Sequence, residues 1–448
     1  MTLSKNENTI MTEGSITKKI IFFAIPIFIG QLFQQLYNTV DSLIVGNLIG
    51  SSALAAVSAT GTLTFLVIGF FFGFSQGAGI IIAREIGARN AHRTSKAVHT
   101  AVAMGLFFSV VITALGVAFS PFMLRLMGTP DEVLPEAILY LRVYFMGCTG
   151  LIMYNTFVGI LQASGDSKHP LMYLITSSLL NVVLDTVFIA VFKMGVDGAA
   201  LATIISQFTS MFLSLRRLMK SDSSIKISLR KIGVDTASLK GIVRFGFPTA
   251  LQGSIIDISN ILIQSYVNSF GKDAMAGVGA YSKLEGFAFL PVISFSMAMS
   301  TFISQNLGAG KKDRMKKGMR FGLLCTVLSI ETIGVLVFVF SPLLIRAFNS
   351  DPEVIYYGVT RARVASLFYC LMGFSNVTSA IMRGLGKPMA PMITMLVCWC
   401  AVRVVVFMTI GQIYHEFLLT CWIYPATWAL SSTVYAILYR IYKKQGLY

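Results

Sequence analysis

Three side chains that can carry a proton or hold a cation lie in otherwise apolar stretches. Asp41 lies within one such stretch, and Asn181 and Asp185 stand four residues apart in another, a spacing that puts both on one helix face. A carboxylate inside a membrane costs roughly 2.5–3.5 kcal/mol on insertion scales, so such residues mark functional sites by default. Asp41 and Asp185 therefore predict a proton carrier. The alternative is a Na⁺ site in which the Asn181 amide and the Thr203 hydroxyl add oxygens.

Two stripes of polar side chains accompany these residues. Gln34, Asn38 and Asp41 recur at spacings of four and three, which places them along one side of a helix. A second stripe begins at residue 257. We assign both stripes to a substrate cleft, with helix packing as the alternative for the second. The cleft residues are Gln34, Tyr37, Asn38, Asp257, Asn260 and Gln264. Glu285 and Lys283 are two residues apart near the outer end of the eighth span, and snorkelling or mutual neutralisation explains them as well as substrate contact does. No partner follows from the sequence for Glu331 or Arg403.

The composition predicts that the elements holding these residues are membrane helices. Of 448 residues, 55% are hydrophobic and only 12% charged, against about 25% charged in a soluble domain. The mean hydropathy is +0.73. A spanning helix needs about 20 apolar residues, and twelve such segments can be marked. We expect an all-α integral membrane protein with twelve transmembrane helices.

The formal net charge of +16 indicates orientation rather than nucleic-acid binding, because the basic residues lie in short clusters between apolar segments. The loops on the N-terminal side of the membrane hold 27 Lys and Arg against 7 Asp and Glu, and the opposite loops hold 7 and 8. This asymmetry follows the positive-inside rule. Both termini are therefore predicted to be cytoplasmic, with the basic loops contacting anionic lipids.

An internal repeat divides the chain at an offset of 221 or 222 residues. Residues 50–59 align with residues 271–280 with five identities in ten, and Ser120-Pro121 aligns with Ser341-Pro342. Six spans per half give the halves the same orientation, so a pseudo-twofold axis should run along the membrane normal, as in secondary transporters. Substrate would then bind between the halves. The predicted divisions are a tail at 1–17, a six-helix lobe at 18–215, a basic linker at 216–244, a second lobe at 245–439 and a tail at 440–448.

Three other functions were weighed against a transporter. An enzyme would need a nucleophile or metal ligands, and no H-x-x-x-H, H-E-x-x-H or G-x-S-x-G pattern is present. A channel would need a selectivity filter, which no segment resembles. A flippase for lipids or lipid-linked precursors remains the alternative function. It predicts a strongly cationic cleft, whereas Arg403 is the only unpaired basic residue that we find deep in a span. The six cysteines lie in apolar stretches and are read as core residues.

The residues resemble those of the multidrug and toxic compound extrusion (MATE) transporters, closest to the DinF-like branch. The motifs are Pro26, the first-span sequence from Gln34 to Asp41, the Gly-Ala turns at 87 and 308, and residues 181–185. The resemblance covers nearly the whole chain. It implies a V-shaped, monomeric bundle in a bacterial-type inner membrane. Such a bundle would export organic cations and amphipathic compounds in exchange for H⁺ or Na⁺ without a cofactor.

The resemblance also implies roles for individual residues. It adds Tyr140 and Asn155 to a coupling network with Asp41, Asn181, Asp185 and Thr203, and it makes Pro26 the hinge at which the first span bends. There is one departure. The NorM-like branch carries further cation-site carboxylates in the seventh and tenth spans, but here the tenth has none and Asp257 is only a near match. Coupling through the first lobe is therefore favoured.

Overall fold

The computed structural model describes residues 10–49 and 51–446, and it contains helices and no strand in that part of the chain. The helices of the first half are α1 Ile16–Leu48, α2 Ser51–Gly87, α3 Ala91–Leu126, α4 Leu134–Met146, α5 Cys148–Ala163, α6 Lys168–Asp185 and α7 Val196–Met219, with a π-helical segment at Thr186–Val191. After a 3₁₀ turn at Leu229–Lys231 come α8 Thr236–Asn268, α9 Lys272–Ala288, α10 Leu290–Gly308, α11 Lys312–Arg346, α12 Pro352–Ser366, α13 Tyr369–Gly384, α14 Met389–Met395, a π-helical segment at Leu396–Ala401, α15 Val402–Ile413 and α16 Phe417–Lys444.

The chain divides into two compact units. Unit 1 comprises Met1–Ile10 and Ile29–Ala250, and unit 2 comprises Met11–Phe28 and Leu251–Tyr448. Both α1 and α8 therefore begin in one unit and continue in the other.

In unit 1, α5 packs against α2, α3 and α7, and its side chains Phe157 and Ile160 lie in the largest apolar core of the unit. The basic segment before α8 is fastened to α3. Asp235 begins α8 by accepting hydrogen bonds from the backbone N–H and the hydroxyl of Ser238, at 3.0 and 2.9 Å, and Lys96 of α3 lies 3.2 Å from its carboxylate. These hydrogen bonds and the nearby Lys96 ammonium lower the pKa of Asp235 to about 2. Residues 216–244, predicted to be a linker, thus include contacts that belong to unit 1.

In unit 2, α13 packs against α10, α11 and α16, and α12 packs against α9 and α11. A core around Tyr281, Tyr369 and Trp428 joins these helices. Glu331 of α11 has a structural role there, because its Oε2 accepts the backbone N–H of Cys370 at 2.8 Å. Cys370 lies in the first turn of α13, where backbone N–H groups have no partner within the helix.

Both units contain a bent helix pair at the same place in the repeat. The axes of α4 and α5 differ by 47° across Gly147, and those of α12 and α13 differ by 57° across Leu367 and Phe368. At Gly147 a Cβ atom would collide with the Ile204 side chain, so close packing against α7 explains the glycine there. The break between α9 and α10 at Phe289 has no counterpart, since the corresponding part of α2 is continuous.

Seven helical segments are long and apolar enough to cross a membrane, and nine if each bent pair is one span, counting only the residues that the structure describes. Large apolar side chains on them face outward, such as Phe107 and Val110 of α3 at 63% and 67% exposure. An aqueous surface would not favour such faces, whereas lipid does. The protein is thus a multi-pass membrane protein, and the number of twelve spans stays a prediction.

Candidate functional site

Four of the residues singled out in the first half of the sequence come together inside unit 1. Three helices supply them: α1 carries Asp41, α6 ends with Asn181 and Asp185, and α7 carries Thr203. Asn181 and Asp185 are 1% and 0% exposed. Asp185 is the last residue of α6, and the π-helical segment begins directly after it. Such wide turns occur preferentially at functional positions, because they change the direction in which neighbouring groups point.

The centre of the site is a pair of carboxyl groups. Those of Asp41 and Asp185 lie within hydrogen-bonding reach of each other. The Oδ1 atom of each is buried and receives no donor from the described residues. Because a carboxylate has no donor of its own, the two groups can bond only when they share a proton. The pair is therefore a place for one proton.

The Asn181 amide connects this pair to α1 and α7. All of its neighbours are satisfied when its nitrogen donates to Asp185 Oδ2 at 2.8 Å and to Tyr37 Oη at 3.0 Å, while its oxygen accepts the Thr203 N–H at 3.0 Å. A further hydrogen bond joins the Tyr37 and Thr203 hydroxyls, and Thr203 Oγ1 donates to the Ala199 carbonyl at 3.0 Å. Asp185 thus lies beside a neutral donor, the Asn181 amide, and beside the carboxyl group of Asp41.

Tyr140 lies next to this network in an apolar cluster. Its ring is stacked on that of Tyr144, with centroids 6.2 Å apart, and both rings are buried with Ile189 and Val196. Tyr140 is within electrostatic range of Asp41, while the Tyr144 hydroxyl is hydrogen-bonded to Gln207. Neither Tyr144 nor Gln207 was singled out from the sequence, since a Tyr and a Gln in an apolar helix carry no distinctive spacing.

Asn155 forms its hydrogen bonds with residues outside this network. Its Nδ2 donates to the Leu151 carbonyl of its own helix at 2.9 Å, and its backbone carbonyl accepts a hydrogen bond from the Ser75 hydroxyl at 2.6 Å. No hydrogen bond joins Asn155 to the carboxyl pair among the described residues. Gln34 and Asn38 are exposed. Tyr37, assigned from the sequence to the substrate cleft, instead bonds to Asn181 and Thr203 of the carboxyl network.

The second polar stripe lies in unit 2. Asn260 and Gln264 line a cavity of about 460 Å³ inside that unit. The Asp257 side chain lies outside the described residues. The same cavity contains three buried or half-buried charged groups, Glu285, Arg361 and Arg403. The sequence left the roles of Glu285 and Arg403 open. It counted Arg361 as a loop residue, whereas the structure places this side chain inside α12 at only 4% exposure.

The chemistry of the unit 1 site favours a small cation and not a bound transition metal. In residues 10–49 and 51–446, no three His, Cys, Asp or Glu side chains are grouped as such a metal would require, and the cysteines form no disulfide there. The side-chain oxygens of this network belong to Asp41, Asp185, Tyr37 and Thr203, besides that of Asn181. The Asn181 oxygen is already occupied by the Thr203 N–H.

Comparison with known proteins bears on the whole chain. A family model described as MatE matches residues 26–187 and again residues 248–409, so the second match begins 222 residues after the first. The probable multidrug resistance protein YoeA of Bacillus subtilis (strain 168) is 29% identical over 445 residues, covering 97% of this chain and 96% of that protein. The probable multidrug resistance protein YpnP of the same organism is 30% identical over 392 residues, covering 88% of each.

A solved structure agrees over almost the entire length. The crystal structure of MATE in the bent conformation superposes with a TM-score of 0.90, at 24% identity, and covers 99% of this chain and 98% of that one. At this identity the likeness concerns the fold. The all-helical fold class predicted from the sequence is confirmed, and the two family-model matches stand at the offset of the internal repeat.

Proposed function

The chain belongs to the MatE family of multidrug and toxic compound extrusion transporters, and on this premise we propose that it is a proton-coupled exporter of organic cations and other amphipathic compounds. The proton binds at Asp41 and Asp185. One observation carries the proposal: two carboxyl groups from different helices lie within hydrogen-bonding reach of each other, with buried oxygens that have no other donor, so that they can share a single proton. The names of the relatives YoeA and YpnP support drug export as the direction of transport.

Coupling to H⁺ is favoured over coupling to Na⁺ by the orientation of the Asn181 amide. Na⁺ prefers several oxygen ligands, but in the orientation that satisfies all of its neighbours the Asn181 amide presents its nitrogen, a donor, to Asp185. For the Asn181 oxygen to bind Na⁺ beside Asp185, the amide would have to rotate, which would break its bonds to Asp185, Tyr37 and Thr203. A proton needs no such rearrangement.

Exchange requires that proton and substrate stabilise different conformations, since a ligand shifts an equilibrium only by its differential affinity. α1 is suited to this. It contains Pro26, whose ring removes one backbone hydrogen bond and weakens the helix at that point, and Asp41 lies fifteen residues further along the same helix. We propose that α1 bends at Pro26 when the pair gains or loses its proton.

We also propose a location and a topology for the protein. The protein resides in a bacterial-type inner membrane as a monomer, with twelve spans and both termini in the cytoplasm. The charge asymmetry of the loops supports this orientation.

The experiment is substrate efflux from proteoliposomes that are energised in one arm by a pH gradient alone and in the other by a Na⁺ gradient alone. The wild type should transport substrate when a pH gradient alone is imposed, and it should transport much less when a Na⁺ gradient alone is imposed. Asp41→Asn and Asp185→Asn should each abolish gradient-driven efflux, because an amide cannot take up and release the proton. Asp131→Asn, which changes an exposed carboxylate between α3 and α4, is the matched control and should keep wild-type transport. Undiminished pH-driven efflux by Asp41→Asn would refute the proposal.

A lipid or lipid-linked-precursor flippase is the second candidate. The unit 2 cavity favours it more than the sequence did, because Arg361 joins Arg403 there and both are buried. A flippase would move a fluorescent phospholipid between leaflets of the same liposomes and leave cationic dyes untouched. The exporter proposed above predicts the reverse.

A further inference from the structure

We propose that the cavity inside unit 2 binds aromatic carboxylates, with Arg361 and Arg403 as the groups that hold the carboxylate. The proposed binding rests on the size, lining and charges of the cavity alone. Export of these compounds rests on the transport function proposed above.

The cavity has the size and lining of a small-molecule site. Its volume of about 460 Å³ falls within the range of roughly 300–1,000 Å³ that is typical of ligand pockets. Four aromatic rings line it, among aliphatic side chains and a few amides: Phe289, Trp399, Tyr424 and Trp428. Flat aromatic ligands pack well against such rings.

Both guanidinium groups are buried and incompletely bonded. Arg361 and Arg403 are 4% and 1% exposed. Arg361 donates to the Thr420 carbonyl, and Arg403 Nε donates to Thr427 Oγ1 at 3.0 Å. Arg361 Nε and Arg403 Nη2, however, have no hydrogen-bond partner in the described part of the chain. Each arginine thus contains a buried donor that no described group satisfies, and both residues line the cavity.

The two charges are close together. The guanidinium carbons of Arg361 and Arg403 lie 4.2 and 4.1 Å from the centroid of the same ring, Tyr424, so they are at most about 8.3 Å apart. Like charges at this separation repel strongly where water is excluded. The cation–π contacts offset part of this cost, and a bound anion would remove more of it.

The one acidic side chain described in the lining does not neutralise both arginines. Glu285 Oε1 accepts the Tyr281 hydroxyl at 2.7 Å, and that tyrosine is bonded in turn to the Tyr369 hydroxyl at 3.0 Å. No ion pair within 4 Å joins Glu285 to Arg361 or Arg403 among the described residues. Two guanidinium groups therefore face one carboxylate. A ligand carboxylate, whose two oxygens match the donor geometry of arginine, would supply the second negative charge.

The test is isothermal titration of the purified full-length protein in non-ionic detergent with three ligands of one shape. These are 2-naphthoate, its neutral amide 2-naphthamide and the cation 2-naphthylmethylammonium. We expect 2-naphthoate to bind at least about tenfold more tightly than the other two, the effect of a charge-assisted hydrogen bond. Equal affinity for naphthoate and naphthamide, or no binding of naphthoate, would overturn the proposal without any variant.

Variants then locate the site. Arg361→Gln and Arg403→Gln should each weaken naphthoate binding about tenfold or more. Arg363→Gln makes the same change of charge on an exposed residue two positions along α12 and should leave the affinity as in the wild type. Glu285→Gln should strengthen naphthoate binding several-fold, because it removes a competing negative charge, and misfolding cannot mimic a gain. Loss of affinity in Glu285→Gln would count against the proposal.

An arm with dihexanoyl phosphatidic acid distinguishes a drug from a lipid headgroup. Tighter, arginine-dependent binding of this phospholipid than of naphthoate would replace the proposed ligand with a lipid phosphate. These titrations use no ion gradient, so their failure leaves the transport experiments with Asp41 unaffected, and a failure of proton coupling leaves the binding result intact.

Discussion

At the scale of single residues, Asn181 controls what Asp185 can bind. Its nitrogen faces Asp185 and Tyr37 and its oxygen faces the Thr203 backbone. One amide thereby fixes the positions of three helices around the shared proton. The donor to Asp185 also stabilises the carboxylate form of that residue once the proton has left.

Replacing Asn181 by leucine, which has a similar volume, should therefore damage coupling. The loss of a hydrogen bond to a charged group costs about 1.5–3 kcal/mol, so pH-driven efflux should fall roughly ten- to hundredfold. Asn155→Leu is the informative comparison, because the Asn155 amide bonds to the Leu151 carbonyl within its own helix. We expect the smaller loss for Asn155→Leu. A larger loss there than in Asn181→Leu would contradict the network described for unit 1.

The sequence was sufficient to identify the carboxyl pair but not the arginine cavity, for a physical reason. The i, i+4 spacing fixes Asn181 and Asp185 on one face, and a carboxylate in an apolar run is conspicuous at Asp41. Arg361 stands at the edge of an apolar segment, where a charge ordinarily faces the membrane surface. Only the 57° bend that separates α12 from α13 and the packing of α12 on α9 put it inside, and neither follows from local composition.

At the scale of elements, unit 1 depends on a close approach between α2 and the first part of α8. A Cβ atom at Gly77 would overlap the backbone of Gly246, and one at Gly246 would come within 3.0 Å of Phe74 Cα. Backbone atoms cannot move aside as a flexible side chain can. The small residues are therefore required where these helices meet, as is common where membrane helices pack closely.

Gly77→Leu should consequently destabilise the protein. Overpacking costs about 1–3 kcal/mol and more where backbone must shift, which corresponds to a fall of several degrees in the melting temperature measured in detergent. Gly69→Leu is the matched control on the same helix, since a Cβ at Gly69 meets no atom within 4 Å. Similar melting temperatures for the two variants would show that the close approach is not needed.

At the scale of the whole molecule, the sequence repeat, the paired family-model matches and the bends in both units describe one duplicated design. The halves have since diverged in charge. Unit 1 keeps the Asp41 and Asp185 pair, whereas unit 2 has aliphatic residues at the aligned positions Ile263 and Val406 and gathers two arginines elsewhere. Duplication therefore preserved the architecture while the two interiors acquired different electrostatics.

The predicted topology can be tested with reporter fusions, green fluorescent protein for the cytoplasm and alkaline phosphatase for the outside. Twelve spans with cytoplasmic termini predict strict alternation, beginning in the cytoplasm, for fusions after residues 222, 271, 310, 350, 387 and 415. The C-terminal fusion should be cytoplasmic, as the basic loops require. Two successive fusions on the same side would contradict the count of twelve.

The central claim is that a proton on the Asp41 and Asp185 pair and a transported compound favour different states of the protein. Proton release on substrate binding measures this directly, with the purified protein in weakly buffered detergent solution and a pH indicator dye. Addition of a cationic substrate at saturation should release protons from the wild type, approaching one per molecule, and none from Asp41→Asn, while Asp131→Asn behaves as the wild type. Equal proton release from the wild type and Asp41→Asn, or substrate binding to the wild type without any release, would contradict the account.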